Sequence, residues 1–472
     1  MEAELTTGVA RADITPPVGI AHGNWGAQTH ERAAGVDLPL WATTLALSDG
    51  KTTFVVVDLD LIYLRREHAT AVREAVAELT GLPTSHVRIS YTHTHSGPTT
   101  RPDSWVEKGE EKVIPYLDSL PHVAAGTALD AVNDMRPVRM AAGCGHSEIA
   151  VNRRLKRPED GAVVVGRNWE GTVDHDVEVL RFDDANGTPL AVVAHYACHP
   201  ITVGPDNDLI TPDYPGVVKR VVEESTGATC LFLQGAAGNV GPIHGVVENG
   251  IEEYKPLGRR LGHEVARVAW AIEPHGREER YVETLESGAP LAVYEYDYED
   301  QDVSLAVATS TAELPLVDFP PVEELEAEYG RYEQRLRELQ AEGGNEAAIS
   351  ETTMRARRTY KDALMARQFE DQSYVDFEVQ VFALGEDVAL IATPGEPFVE
   401  IAQRVKDGSP FEQTAFSGYS NVLDYSPIYV PTADAYPDGG YEVETSPLTP
   451  RAADVLVKST LDLLGTIETD NS

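Results

Sequence analysis

The 472-residue chain is long enough to bury a large core, and its 42% hydrophobic and 24% charged residues are those of a folded globular protein. Its 77 Asp and Glu against 38 Lys and Arg give a formal charge of -39, which leaves no basic surface for nucleic acid and points to a salt-adapted, halophilic cytoplasm over an ordinary acidic protein. The 3 cysteines, Cys144, Cys198 and Cys230, exclude a disulfide framework, and neither a leader nor an apolar run of membrane-spanning length is visible.

Taken in order, residues 8–20 read as a short strand stopped at Pro16-Pro17, with further strands at 43–47 and 54–61. Asp58 and Asp60 lie two apart in the last of these, placed either to support a histidine ligand or to cap the next turn. Helical spacing over 65–79 and a strand over 86–91 complete a β-α-β unit. The pattern predicts an α/β fold with a parallel or mixed sheet flanked by helices. The strand runs into Thr92-His93-Thr94-His95-Ser96-Gly97-Pro98. Continued strand alternation puts His93 and His95 on one face at a strand end, as half of a tetrahedral zinc site or as one ligand beside one proton-transfer group.

Strands at 177–182 and 190–198 flank Asp183-Asp184-Ala185-Asn186-Gly187, a hairpin signal. The second runs into His195-Tyr196-Ala197-Cys198-His199-Pro200. Pro200 fixes His199 at the terminus, which makes it the better ligand and leaves His195 in a core or supporting role. A helix over 214–224 and a strand over 230–233 lead to Gln234-Gly235-Ala236-Ala237-Gly238-Asn239-Val240-Gly241-Pro242, a small-residue loop that admits either substrate or tight backbone packing. Between 320 and 370 the composition turns to Glu, Arg, Ala and Leu with helical spacing. This predicts a pair of charge-laced helices inserted into the main unit, their charges a solvated face or an oligomer contact. Strands at 375–384 and 388–393 flank Gly385-Glu386-Asp387, and the second leads to Pro394-Gly395-Glu396-Pro397, an acid at a strand end. Tyr425, Tyr429, Tyr436 and Tyr441 follow Gly418-Tyr419-Ser420-Asn421 in a segment rich in Pro and Gly, and are placed to line a cleft.

Together the string from Thr92 to Pro98, the opening Gly8-Val9-Ala10-Arg11-Ala12-Asp13-Ile14-Thr15, His199, Glu396 after Pro394-Gly395, and Tyr429 with Tyr441 resemble the neutral/alkaline ceramidases. The resemblance extends over essentially the whole chain. It implies a ceramidase-like catalytic domain, expected here as a single unit over 1–472 that contains the helical insertion at 320–370; secreted members of the family add a signal peptide and a C-terminal immunoglobulin-like domain, and neither is expected in this chain. Members of that family are zinc-dependent amidohydrolases that cleave the N-acyl bond of ceramide. By resemblance, one Zn²⁺ is held by His93, His199, Glu396 and Tyr429, while His95, Arg153 and Tyr441 hold and polarise the scissile amide. Gln234, Asn239 and Gly241 mark the substrate loop. That loop departs from the family: Gly241 matches a serine required for activity, and Asn239 stands where an acidic residue is usual. The segment from Asn421 to Tyr429 is also longer, so Tyr425 competes with Tyr429 for the ligand role.

Protein ligands that leave one position of Zn²⁺ open lower the pKa of a bound water to about 7, so the absent serine does not exclude hydrolysis. The resulting expectation is a metal-dependent hydrolase of an N-acyl amide, acting on a small-molecule or lipid-like acyl substrate that need not be ceramide. The alternatives are a metal-dependent esterase or lactonase and a metal-binding homologue without turnover. Phosphoester chemistry would require Asp58, Asp60, Asp206, Asp208 and Asp213 to converge on the histidines. The acidic surface favours a dispersed substrate over an anionic bilayer, and a homo-oligomer is compatible with every reading.

Overall fold

The computed structural model describes residues 4–100, 106, 108–246, 250–274, 276–298, 303–421 and 428–467. Its main sheet has eight strands in the spatial order Thr229–Gln234, Pro189–Tyr196, Asp176–Asp184, Arg136–His146, Thr6–Asp13, Trp41–Ser48, Thr53–Leu59 and Val87–Tyr91. The outermost pair at each end is parallel and the inner pairs are antiparallel. This is the mixed sheet that the sequence predicts. A second sheet runs Leu305–Pro315, Tyr374–Leu384, Val388–Ala392 and Gln413–Ser417.

Strand alternation sorts the apolar residues into layers. Val55 and Val57 join Ala42 and Ala46 beneath helices α1 (Arg66–Thr80) and α2 (Val113–Asn133). Phe54 and Val56 point the other way, onto Phe382, Leu384 and Leu390 of the second sheet. Phe54 and Phe382 stack with their centroids 4.1 Å apart. Helices α3 (Asp213–Thr226) and α4 (Gly250–Ala271) cover the Pro189–Tyr196 half of the main sheet. Close packing is demanding at Gly8, where a Cβ would lie 2.0 Å from the Ala131 carbonyl of α2. Helices α5 (Val322–Ala341) and α6 (Glu346–Gln368) form the charge-laced pair, and Asn345 caps α6 by accepting from Ala347 N at 2.8 Å. Helix α7 (Val399–Gly408) and the helix Ala452–Leu464 pack on the outer face of the second sheet.

The main sheet curls so that its two ends approach each other. Phe232 N, at one end, donates to Asp58 Oδ2 at 3.1 Å, and Lys219 of α3 reaches Asp58 at 3.2 Å and Asp60 at 2.7 Å. Both carboxylates therefore serve a buried lysine and support no histidine. A second departure concerns the histidine pair. The strand stops at Tyr91, and His93 has φ of 65° in the left-handed region. His93 and His95 thus belong to an irregular loop, in which His93 N donates to Leu61 O at 2.9 Å, and strand parity does not orient them.

Candidate functional site

His93 comes from the loop after Val87–Tyr91, at one end of the curled sheet, and His199 from the loop after Pro189–Tyr196, near the other. Ring nitrogens of His93, His95 and His199 all lie within 4.8 Å of one another. Each imidazole is oriented by a backbone carbonyl at Nδ1: Ile62 O at 2.7 Å for His93, Asn24 O at 3.2 Å for His95 and Ala237 O at 3.2 Å for His199. A carbonyl only accepts, so Nδ1 carries the proton in each ring and Nε2 presents a lone pair. His95 Nε2 and His199 Nε2 then face each other at 3.1 Å, an arrangement that repels unless a cation or proton lies between them.

Electrostatics keep the three rings neutral, the form that ligates metal. Burial, and after it His95, holds His93 well below the usual histidine range. Burial followed by the charge of Arg153 lowers His95 to about 3 and depresses His199 strongly. Glu396 completes the group, its Oε2 3.7 Å from His93 Nε2 and 3.8 Å from His199 Nδ1. His93 Nε2 and Glu396 Oε2 are buried without a hydrogen-bond partner. Burial raises the Glu396 carboxyl to about 7 against the opposing pull of Arg153. Nitrogen and oxygen donors left unsatisfied around one point are a donor set that suits a divalent metal.

Glu396 is positioned by a two-residue ladder in which Glu396–Pro397 runs parallel to Tyr429–Val430, so that Glu396 and Tyr429 are register partners. Gly238 permits this approach, since a Cβ there would lie 2.4 Å from Glu396 O. Arg153 lies with its guanidinium 5.5 Å from the Tyr429 ring centroid, and Tyr429 meets Tyr441 edge-on at 5.6 Å. Glu442 accepts from both Arg153 Nε and Arg154 at 2.8 Å, while one terminal Arg153 nitrogen stays buried without a partner. Tyr425 lies outside the described residues.

A cavity of about 360 Å³ opens on His93, His95, Glu396, Tyr429 and Tyr441, with apolar walls from Trp25, Ile62, Tyr63 and Val106. Gln234, Asn239 and Gly241 are not among its lining residues. Gln234 donates to Cys198 O at 2.8 Å, and Asn239 accepts from Val399 N at 2.9 Å and donates to Glu400 at 2.8 Å, so both brace the backbone behind the site. A Cβ on Gly241 would meet Ile201 and Arg153 at 3.6 and 3.7 Å, ordinary contacts that leave room for a small side chain.

Other candidates are otherwise engaged. Both ring nitrogens of His195 are used, on Glu178 at 2.6 Å and on Phe416 O at 3.0 Å. The close acidic group Asp174, Asp176 and Glu178 surrounds the Lys406 ammonium. Asp206 meets Thr29, and Asp213 accepts from Val203 N and Tyr214 N, so these carboxylates do not converge on the histidines. Tyr419 joins this group without any local sequence pattern that marks it. Its ring lies 4.3 Å from that of His93, and its hydroxyl is 3.3 Å from His199 Nδ1.

Residues 5–238 match the family profile described as neutral/alkaline non-lysosomal ceramidase, N-terminal. Over 253 residues the chain is 24% identical to the neutral ceramidase of Pseudomonas aeruginosa, a match covering 50% of this chain and 36% of that protein. Over 171 residues it is 24% identical to neutral ceramidase B of Dictyostelium discoideum, covering 34% of this chain and 24% of that one. The matches thus span well under half the length of either relative. The crystal structure of neutral ceramidase from Pseudomonas aeruginosa aligns with 100% of this chain and 76% of its own, with a TM-score of 0.69 at 18% identity. A ceramidase complexed with C2 aligns with a TM-score of 0.67 at 17% identity, over 77% of its chain. The likeness of fold continues through the remainder of the chain, and the three histidines fall inside the profile match: residues 5–238 belong to the neutral/alkaline non-lysosomal ceramidase family, N-terminal.

Proposed function

We propose that this protein is a zinc-dependent hydrolase that cleaves an N-acyl amide, with His93, His199, Glu396 and Tyr429 holding a single ion. The observation that carries the reading is the set of carbonyl-oriented imidazoles with their lone pairs converging beside an unsatisfied, buried Glu396 oxygen. When bound, Zn²⁺ supplies Lewis acidity and lowers the pKa of a coordinated water to about 7. His95 Nε2 takes the proton released as water attacks and returns it to the departing amine nitrogen. Tyr441 and the unpartnered Arg153 nitrogen donate to the carbonyl oxygen as negative charge develops on it. The walls formed by Ile62, Tyr63 and Val106 hold the acyl chain and limit the entry of bulk water.

No helix among the described residues is long and apolar enough to cross a membrane. The charge of -39 favours a dispersed acyl amide over an anionic bilayer, and a salt-rich cytoplasm is part of the same proposal. The test is elemental analysis of the protein purified in high salt, beside assays on N-lauroyl amides. The native chain is expected to hold near-stoichiometric zinc, with His93→Ala and His199→Ala each losing both metal and turnover. His95→Ala separates two roles. A proton-transfer group keeps zinc and loses rate by about 10²-fold or more, whereas a ligand loses zinc. Native protein holding no metal that these histidines control would sink the proposal.

A further inference from the structure

Between α4 and the second sheet the chain runs out into a hairpin of its own. Strands Arg277–Leu285 and Leu291–Tyr298 pair with each other and, among the described residues, with no third strand. Tyr, Val, Thr and Leu favour extended backbone here, and Ser287-Gly288-Ala289-Pro290 turns it. From Glu279 to Tyr296 every residue but the half-buried Val293 is exposed, and none joins a core cluster. The register makes the two faces unequal. Tyr281 lies opposite Tyr294 and Glu279 opposite Tyr296, which puts three tyrosines on one face, 43 to 55% exposed. Tyr281 and Tyr294 meet edge-on at 6.2 Å, whereas the reverse face carries the Arg280–Glu295 pair at 2.6 Å. At the far end Leu285 lies opposite Leu291, and both are more than half exposed. A two-stranded hairpin alone is marginal in water, and an arm with this much apolar surface marks a place of contact.

We propose that this arm is the contact between two copies of the chain, packed tyrosine face to tyrosine face about a two-fold axis, with the leucine tip of each arm reaching the base of the other. The tyrosine face suits a second copy because Glu279 is its one charge between Glu279 and Tyr296. It is a place where two chains of -39 can approach without setting acid against acid. The area is also sufficient. Tyr281, Val282, Leu285, Leu291, Tyr294 and Tyr296 leave on the order of 500 Å² of side chain uncovered per copy, and a specific interface needs about 1,000 Å² in total. A lipid surface fits the arm less well. The exposed tyrosines lie along a strand about 30 Å long, away from the tip, and Glu283 and Glu286 flank the leucines that would have to enter the bilayer. Because the contact is apolar and the bodies repel, salt strengthens it.

The experiment is sedimentation equilibrium of the full chain, from dilute to molar KCl, on the native protein, Tyr294→Ser, Leu285→Ser and the control Tyr374→Ser, an equally exposed tyrosine outside the arm. Both arm residues lie outside the core clusters, and an unchanged far-ultraviolet circular dichroism spectrum verifies that each variant is folded. The native chain is expected to form a dimer whose Kd falls by about tenfold or more as KCl rises. Each arm variant is expected to raise that Kd by about tenfold or more, while the control leaves it in place. A native chain that stays single at every concentration and salt overturns the inference, as does an assembly that both arm variants hold at native strength. An assembly that molar KCl dissolves overturns it too, because such a contact rests on opposite charges. Flotation of a single chain with phosphatidylcholine vesicles, lost in Leu285→Ser, would make the arm a lipid contact and likewise overturn the second copy.

Discussion

Asp213 is buried at the start of α3 with φ of 55°, and burial raises its carboxyl to about 6 despite hydrogen bonds from Val203 N and Tyr214 N. Its folded pKa exceeds the unfolded value of 3.8. The proton it retains on folding therefore contributes stability that is fully present below 3.8 and is lost as the pH rises through 6. Asparagine tolerates the left-handed backbone and does not titrate. Between pH 5 and pH 7.5 the stability of Asp213→Asn is expected to gain about 1 to 2 kcal/mol on that of the native chain, measured by urea unfolding; an unchanged difference would show that the carboxyl is ionised throughout. Residues at this scale differ in how legible they are. His199 and Glu396 announce themselves because proline and glycine punctuate the strand ends that carry them. Tyr419 does not, because its relation to His93 depends on a chain crossing 326 residues away in sequence, and no local pattern marks it.

Among the elements, α3 docks through chemistry that its sequence conceals. Lys219 lies in the middle of an amphipathic helix but is 2% exposed, between Asp58 and Asp60 of the neighbouring strand and loop. Burial works against its charge, and the two carboxylates outweigh that penalty. Removing one partner leaves buried charge uncompensated, so Lys219→Met is expected to cost about 3 to 5 kcal/mol, and adding Asp58→Asn with Asp60→Asn to recover much of the loss. Urea unfolding of the single and triple variants checks this, and a cost of the single change below about 1 kcal/mol would refute it. Strand alternation and helix periodicity foretold the strand and helix that precede His93, the hairpin before His199 and the α5–α6 pair. They gave the wrong reason for the convergence of His93 and His95, since the histidine loop leaves the strand after Tyr91. The Asp58 and Asp60 pair was equally opaque, because the curl of the sheet, which period-two patterns do not encode, brings α3 against it.

The whole molecule carries a charge of -39, and its compact state should depend on ions that screen the mutual repulsion of its acidic side chains. The thermal midpoint is expected to climb steadily from low to molar KCl, most steeply at the dilute end. A flat or falling profile would remove the case for salt adaptation. The fold brings together residues from Asn24 to Tyr441, and this spread has a temporal side. During synthesis all three imidazoles leave the ribosome long before Glu396 and Tyr429. A nascent chain that has reached residue 238 offers nitrogen donors alone, a set with little power to discriminate among divalent ions. On the zinc-hydrolase reading proposed above, the choice of metal is therefore deferred until the last quarter of the polypeptide, which carries Glu396 and Tyr429, has been made.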